Sequence, residues 1–454
     1  MIKMKKYSIR LLFILITVVN ASFTMSGQSS LEQYIDTAFS RNIVIQQKKI
    51  AYSKAILAIQ IAKSLYSPGV SLQSGFTTGD GGRYIDLPVG DLLNPVYSTL
   101  NQITQSNQFP QIENVKQSFL PNQLFDAHIR TAIPIINPDL KHNREIQSAQ
   151  VPIRQWEMDL YKRELAKNIK VAYYNYVMAS SAQGIIQNAL VLLKRNIEIN
   201  QSLQKNGKGL PAYVLRSQSE YEQVNAQLIA AENQVRLARN YFNLLLNKDL
   251  EDEIAIVEIP FQASVPYGLV AATNREELQI IRQSQKLVQL QTNQLKDYWK
   301  PRLNGFLDLG NQFEQWRKPG QGWYYLGGIQ LEMTIFQGNK NKLKIEDNFL
   351  AEQNVALEQE QTENLFEFSQ HKALLNLETQ IKKYQSAQIQ IKSAESYFNL
   401  IEKGYKEGIH SQIEYLDARN QLTNAQIQEN ILRYQVLQAQ AELERESATF
   451  NLPN

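Results

Sequence analysis

The chain has 454 residues, no cysteine, four histidines and a formal net charge of +3 from 47 basic and 44 acidic side chains. Without cysteine there is no disulfide, thiolate metal site, cysteine nucleophile or lipid on a mature N-terminal cysteine. Lys and Arg interleave with Glu along helical stretches, which describes solvated helix faces and speaks against nucleic acid as a partner.

In chain order, Lys3, Lys5, Lys6 and Arg10 precede the apolar run 11–19, and Asn20, Ala21 and Ser22 follow it. A basic start, a short apolar stretch and small residues near Ala21 predict a cleaved secretory signal over 1–22. A membrane anchor needs roughly 18 apolar residues, and Asn20 interrupts sooner. No later segment reads as apolar enough for a membrane helix. The expectation is an exported chain without a helical span.

The rest of the chain repeats itself. "LYSPGVSLQSGF" (65–76) resembles "DYWKPRLNGFLDL" (297–309), and "AHIRTAIPIINPDLKHNREI" (127–146) resembles "GIQLEMTIFQGNKNKLKIED" (328–347). "KNGKGLPAYVLRSQSEY" (205–221) resembles "EKGYKEGIHSQIEYLDARNQL" (402–422), again at a shift of about 200 residues. Asn42 precedes Pro68 by about as much as Asn274 precedes Pro301. One unit of helix, strand, loop, strand, very long helix, glycine turn and helix is thus predicted twice, over 23–250 and 274–454, with a linker at 251–273.

Strands are expected at about 68–78, 124–136, 302–314 and 323–336 from their period of two. In the third, Leu303, Leu307, Leu309 and Phe313 oppose Asn304, Asp308, Gln312 and Glu314. In the fourth, Trp323, Tyr325, Ile329, Leu331, Met333 and Ile335 oppose Gln330, Glu332 and Thr334. In the second, Phe125, Ala127, Ile129, Ile133 and Ile135 oppose Asp126, His128 and Arg130. Strands of about ten residues, apolar on one face with aromatics near the ends, fit a membrane β-barrel with the polar face, and hence Asp126, His128 and Arg130, lining the lumen. A barrel of about eight strands is already filled by its own side chains, and open edges in lipid cost several kcal/mol per unpaired group. Four strands therefore predict that several chains share one barrel. Segment 79–122, rich in Gly, Pro, Asn and Gln, reads as an extracellular loop, much longer than its counterpart near 315–322.

Residues 140–206 and 340–403 hold no proline except Pro152, and each reads as a helix of about 100 Å. Pro152 predicts either a kink or a helix that starts after it. Past the first glycine turn, Tyr221, Val224, Leu228, Ala231, Val235, Ala238, Phe242 and Leu245 alternate steps of three and four. Ala418, Leu422, Ala425, Leu432, Val436, Ala439 and Leu443 repeat that spacing, with Glu429 the exception. Such seams predict helices wound around each other. A second stripe, Ile427, Ile431 and Tyr434, predicts a helix wedged between two neighbours.

These residues carry a resemblance. With Gly404, Tyr405, Gly408, Glu414, Leu416, Asp417 and Ala418, the Pro301-x-Leu303 strand start and "IFQGNKNK" (335–342), the chain resembles the TolC-like outer membrane efflux proteins over its whole mature length. The resemblance implies an α+β membrane protein and a homotrimer. Its three chains would form a twelve-strand outer-membrane β-barrel continued by a periplasmic α-helical coiled-coil barrel. It also implies a Gram-negative outer membrane setting and the passive exit duct of a tripartite efflux or export system. The partners implied are outer-membrane lipid, a periplasmic adaptor and an inner-membrane pump of the RND, ABC or MFS kind, with no cofactor and no catalysis.

Residue by residue, Glu414 and Asp417 match the acidic rings that narrow the family's entrance, an arrangement that favours cations. Tyr405 matches a tyrosine that helps hold the entrance shut by hydrogen bonds between neighbouring coiled coils. His410 stands where some members carry an arginine of that network. The first copy, "GLPAYVLRS" (209–217), lacks the acidic acceptor. The turns with Gly207 and Gly209, and with Gly404 and Gly408, would be the tips where the adaptor docks.

Other readings compete. Without the resemblance, Glu414 and Asp417 are solvated helix acids, and Gly404 and Gly408 are turn or helix-stop glycines. No H-E-x-x-H, P-loop or nucleophile elbow is present, and His128, His142, His371 and His410 are scattered. The six methionines form no cluster, which argues against a copper relay. A secreted or periplasmic coiled-coil scaffold or adhesin without a channel accounts for the heptads but not for the paired amphipathic strands. The adaptor itself carries one helical hairpin within small β-domains, where this chain has two hairpins.

Overall fold

The computed structural model describes residues 30–119, 123–257, 261, 263–264, 275–314 and 322–452. The expected signal at 1–22, Asn274 and most of the expected linker 251–273 lie outside them. The described helices are α1 (Ser30–Arg41), α2 (Ile43–Ser64), α3 (Val89–Thr104), α4 (Pro138–Lys205), α5 (Pro211–Leu245), α6 (Glu276–Lys296), α7 (Lys340–Lys406) and α8 (Gln412–Glu446). The strands are β1 (Gly69–Thr78), β2 (Tyr84–Leu87), β3 (Val115–Ser118), β4 (Gln123–Ile136), β5 (Arg302–Phe313) and β6 (Trp323–Glu332). The duplication shows in the lengths: α4 and α7 have 68 and 67 residues, and α5 and α8 have 35 each.

One unit is built from the described residues of Met1–Ala55, Gln150–Lys286 and Gln353–Asn454. Asn42 separates α1 from α2 and caps the second, its Oδ1 accepting from the amides of Val44 and Ile45. Pro152 lies inside α4, so the helix neither starts after it nor stops at it. The ring merely leaves the Ser148 carbonyl without its usual amide.

α4 also corrects the expectation that nothing after the signal is apolar enough to cross a membrane. It holds an 18-residue window of mean hydropathy 1.2, and no charged residue falls between Lys170 and Lys194. Within the chain 28% of that window is buried. Ala172, Tyr173, Tyr174, Val177, Ala179, Ile186, Ala189 and Leu193 are all buried.

Three apolar cores hold this unit. In the first, Ile35 and Phe39 of α1, Ile45 of α2, Ile169 and Tyr173 of α4, and Phe242 of α5 meet Tyr434, Leu437 and Ala441 of α8. Tyr34 and Tyr173 flank Phe242 at ring distances of 5.2 and 5.7 Å, a geometry that adds to the area buried. In the second, Ile186, Ala189 and Leu193 of α4 meet Val224 of α5, Phe398 and Ile401 of α7, and Tyr415, Leu416 and Ala418 of α8. In the third, Leu377, Ile381 and Tyr384 of α7 meet Leu432, Val436, Ala439 and Leu443 of α8. α8 thus buries one stripe against α7 and another against α4, the wedge that its two stripes predict. Glu429 breaks the seam opposite Tyr384, whose pKa is raised by burial and by this carboxylate.

Charges close the end of α8. Arg275, 1% exposed, bonds the Glu446 carboxylate at 3.0 Å and Glu277 at 2.9 Å, and lies 3.6 Å from the centre of the Phe366 ring. Arg163 grips Glu276 at 2.6 Å and donates to the Phe450 carbonyl at 2.9 Å. Burial works against the charge on Glu446, but Ser369, Arg445 and Arg275 outweigh it and hold the carboxyl below its usual range.

The second unit comprises Ile56–Ala149 and Leu287–Glu352. Its sheet runs β1-β4-β5-β6, antiparallel throughout. The register puts Val70, Leu72 and Phe76 on the same face as Ile129, Leu307, Leu309, Trp323, Tyr325, Ile329 and Leu331, and these are exposed, up to 80% at Tyr325. The β4–β5 register shifts between Pro134 and Ile136, an irregularity of the kind at which proline is tolerated in a sheet. β6 stops at Glu332, short of the expected 336; Met333–Phe336 carry no ladder partner because β5 begins at Arg302, opposite Glu332.

The expected loop 79–122 is in part a folded module. β2 pairs with β3, and α3 lies between them. Asn94 exchanges two hydrogen bonds with the backbone of Ile112, and Asn101 two with that of Phe109. These side chains give an extended return strand the pairing that a neighbouring strand would supply.

Phe242→Ala, which empties a fully buried site, is expected to cost about 3–5 kcal/mol. The midpoint of denaturant unfolding followed by helical circular dichroism measures it.

Candidate functional site

The helical turns of the first unit are built alike in both repeats. After α4, Gly207 takes φ +70°, its amide bonds the Gln204 carbonyl, and Lys208 N bonds the Leu203 carbonyl at 2.8 Å. After α7, Gly408 takes φ +78°, its amide bonds the Tyr405 carbonyl, and Ile409 N bonds the Gly404 carbonyl at 2.7 Å. Both are Schellman stops, and each needs a residue free to adopt positive φ.

Gly404 is therefore no turn glycine. It lies buried within α7, and a side chain there would collide with the ring of His410. Gly209 likewise sits tight against Leu203 and Gln204.

The following helices start differently. α5 begins with Pro211, whose missing amide costs nothing at that position. α8 begins with a capping box: Ser411 N donates to Glu414 Oε2 at 2.7 Å, and Glu414 N donates to Ser411 Oγ at 3.3 Å. These bonds, backbone first, hold the Glu414 carboxyl below its usual range, and His410 Nδ1 lies 3.5 Å from its other oxygen. Asp417, one turn on, accepts from Gln421 at 2.7 Å. Both acids are on the exposed face of α8, one turn apart.

Tyr405 points inward. Its ring stacks on Tyr415 at 4.9 Å, and its hydroxyl donates to Asn200 Oδ1 at 2.9 Å. Burial raises its pKa against the opposing effect of Asn196 and Asn200, so it stays a protonated donor. The acceptor missing from 209–217 is thus supplied by Asn200, one helix earlier.

Asn200 also donates to Asn196 at 3.0 Å and to Ser217 Oγ at 2.9 Å. Ser217 donates to Asn196 at 2.7 Å, and Gln412 donates to Ser217 at 2.6 Å and to the Tyr213 carbonyl at 2.8 Å. Ser217 so uses its one proton and both lone pairs. This buried network joins α4, α5, α7 and α8 near the turns that connect them. Sequence reasoning missed Asn196, Asn200, Ser217 and Gln412. The signal was there: Ile186, Ala189, Leu193, Asn196 and Asn200 continue the three-four spacing, and a polar residue on such a seam specifies register.

In the second unit, the polar face of the sheet brings Asp126, His128 and Arg130 together. Asp126 lies 3.0 Å from His128 Nδ1 and accepts from the Tyr324 hydroxyl at 2.8 Å. Arg130 forms a two-pronged pair with Asp308 at 2.8 and 2.6 Å. Tyr324 was missed, although its even number in β6 assigns it to this face.

Residues 270–447 match the outer membrane efflux protein family. The match covers nearly the whole second repeat. Solved outer-membrane channels share the fold over most of the chain. CusC aligns with a TM-score of 0.74 at 12% identity, over 93% of this chain and 92% of that one. VceC from Vibrio cholerae gives 0.70 at 13%, over 92% and 96%. The open state of MtrE from Neisseria gonorrhoeae gives 0.70 at 15%, over 92% and 88%. No curated protein sequence matches the chain. The efflux domain and the channel fold agree with the TolC-like resemblance carried by the stretch around Tyr405 and Asp417.

Tyr405→Phe keeps the ring on Tyr415 but removes one donor from a buried network. It is expected to lower stability by about 1–2 kcal/mol, with Asn200→Ala, which removes three bonds, costing more; denaturant titration of both variants checks the order.

Proposed function

We propose that the chain is the exit duct of a tripartite efflux system, a passive channel in the outer membrane of a Gram-negative cell with its helices in the periplasm. The observation that carries this reading is the exposed apolar face of the β1-β4-β5-β6 sheet, backed by a polar face with its own ion pairs. Lipid on one side and water on the other is the surrounding that satisfies both. A coiled-coil scaffold has no use for such a sheet.

Three chains close the barrel, β6 of one beside β1 of the next, because each is an outer strand of its own sheet. Leu343, Leu350 and Leu357, exposed at seven-residue spacing on α7, and Leu215, Ile229, Leu237 and Leu244 on α5 provide apolar faces for the neighbouring chains. The turns at 205–211 and 404–410 receive a periplasmic adaptor that links the channel to an inner-membrane pump. The pump selects the cargo. Glu414 and Asp417 of three chains form two stacked carboxylate rings at the entrance, and Tyr405 with His410 stands at the gate.

Native mass measurement in detergent is expected to give a trimer; a monomer, or six or more chains, sinks the shared barrel. In planar bilayers the wild-type channel is expected to prefer cations and to be blocked by a trivalent cation, and Glu414→Ala with Asp417→Ala together to lose both properties. Equal selectivity and equal block in the two channels would falsify the acidic rings while leaving the duct intact.

A further inference from the structure

The module between β2 and β3 is more ordered than a barrel loop requires, and one face of it is left uncovered by the described residues. Leu93, Tyr97 and Leu100 of α3 are half-buried, on the side where Tyr97 meets the Phe109 ring at 5.8 Å. Besides the Asn94 and Asn101 pairs, Asn114 bonds the amide and carboxylate of Asp91, and Gln111 bonds Ser98. The return strand is thereby fixed along its length.

A neighbouring, uncovered stripe is Leu92, Val96 and Ile103, 73%, 52% and 74% exposed, with Thr99 between them. The steps of four, three and four are a heptad seam on a helix that meets no other helix among the described residues.

Three observations say what meets it. Residues 92–112 contain no Asp, Glu, Lys, Arg or His, so identical faces approach each other without charge repulsion. The same lack of cations argues against a helix lying on lipid, since such helices carry Lys and Arg on the polar face. The third is size. Twelve strands at about 4.8 Å spacing and about 40° tilt enclose a ring about 24 Å across. Three helices about 10 Å thick around one axis span about 22 Å. β1 and β4 lead into this module at the strand ends opposite those that join α2 and α4, which is the outer mouth.

We propose that three copies of α3 meet through Leu92, Val96 and Ile103 and cover the outer mouth of the barrel. This rests on the trimeric channel proposed above. Tethering at the rim holds the three copies at high effective concentration, so a short seam suffices.

The chain has no cysteine, so single-cysteine variants report one position each. Ile103→Cys in the purified trimer, treated with a short bis-maleimide, is expected to join about two of every three chains as pairs, the most that one thiol per chain allows under threefold symmetry. Gln102→Cys, on the polar side of the same helix, is expected to give little or no product. Equal linking at both positions means random collision and overturns the cap. Failure of Ile103→Cys to link in a sample that native mass shows to be trimeric overturns the cap alone. A polarity-sensitive dye on Ile103→Cys in vesicles then tells the rivals apart. Quenching by lipids brominated in the acyl chains places the helix on the membrane, and full quenching by iodide places it free in water. Either overturns the proposal. A monomer by native mass overturns the trimer and the cap together.

Discussion

β1 pairs with β4 and β6 with β5, and each presents its other side as a row of backbone donors and acceptors at the limit of the four-stranded sheet. In water such an edge is a liability; in hydrocarbon each unpaired group costs several kcal/mol. The apolar face that includes Leu72, Ile329 and Tyr325 has the same consequence from the other direction. A surface that needs lipid cannot keep open edges in lipid. In the proposed channel, the edges of neighbouring copies would pair with each other. On the polar face Arg130 pairs with Asp308 within the chain.

The helical unit solves a different problem, which is register. Leucine and alanine seams on helices of 35 to 68 residues pack almost as well after a slip of one heptad. Polar groups with few permitted partners remove that freedom. Asn196 and Asn200 meet Ser217 and Tyr405 in this register, and a slip of the helices would break those buried bonds. At the other end of α8, Arg275 and Arg445 converge on Glu446. Apolar packing supplies the attraction, and the two polar clusters fix the alignment at both ends.

The regular parts of this design were legible in the sequence, since period two and period 3.5 are properties of single strands and single seams. The β4 alternation, the α8 wedge and the long helices needed nothing beyond residue spacing. What escaped was tertiary. The acceptor for Tyr405 is about 205 residues away in the chain, beyond the reach of any local rule. The module at 79–122 was hidden because its ordering groups are Asn and Gln, which composition rules assign to loops; here Asn94 and Asn101 act as surrogate strand partners. Gly404 reads as a turn residue by its proximity to Gly408, yet its role is to admit the His410 ring against α7. The uncharged run in α4 shows the converse error, since hydropathy alone does not distinguish a helix packed among helices from one packed among lipids.

Glu414 shows how a bland reading and a functional one coexist in a single side chain. As the third residue of α8 it holds Ser411, which is ordinary capping. The cap engages one oxygen with a backbone amide and leaves the other facing His410 at 3.5 Å. Hydrogen bonding of that kind stabilises the ionised form, and its contribution to stability is present above the usual carboxylate range and lost only as pH falls through the lowered value. The helix start thus fixes a negative charge at the turn and keeps it ionised at neutral pH. Among the described residues, Asp417 is held by Gln421, a neighbour on its own helix, and by no backbone amide. The two acids are therefore unequal partners: one fixed by the backbone, one held by a side chain. In the proposed entrance rings, the fixed charge would set the field and the carboxylate one turn away would let its oxygens follow an ion.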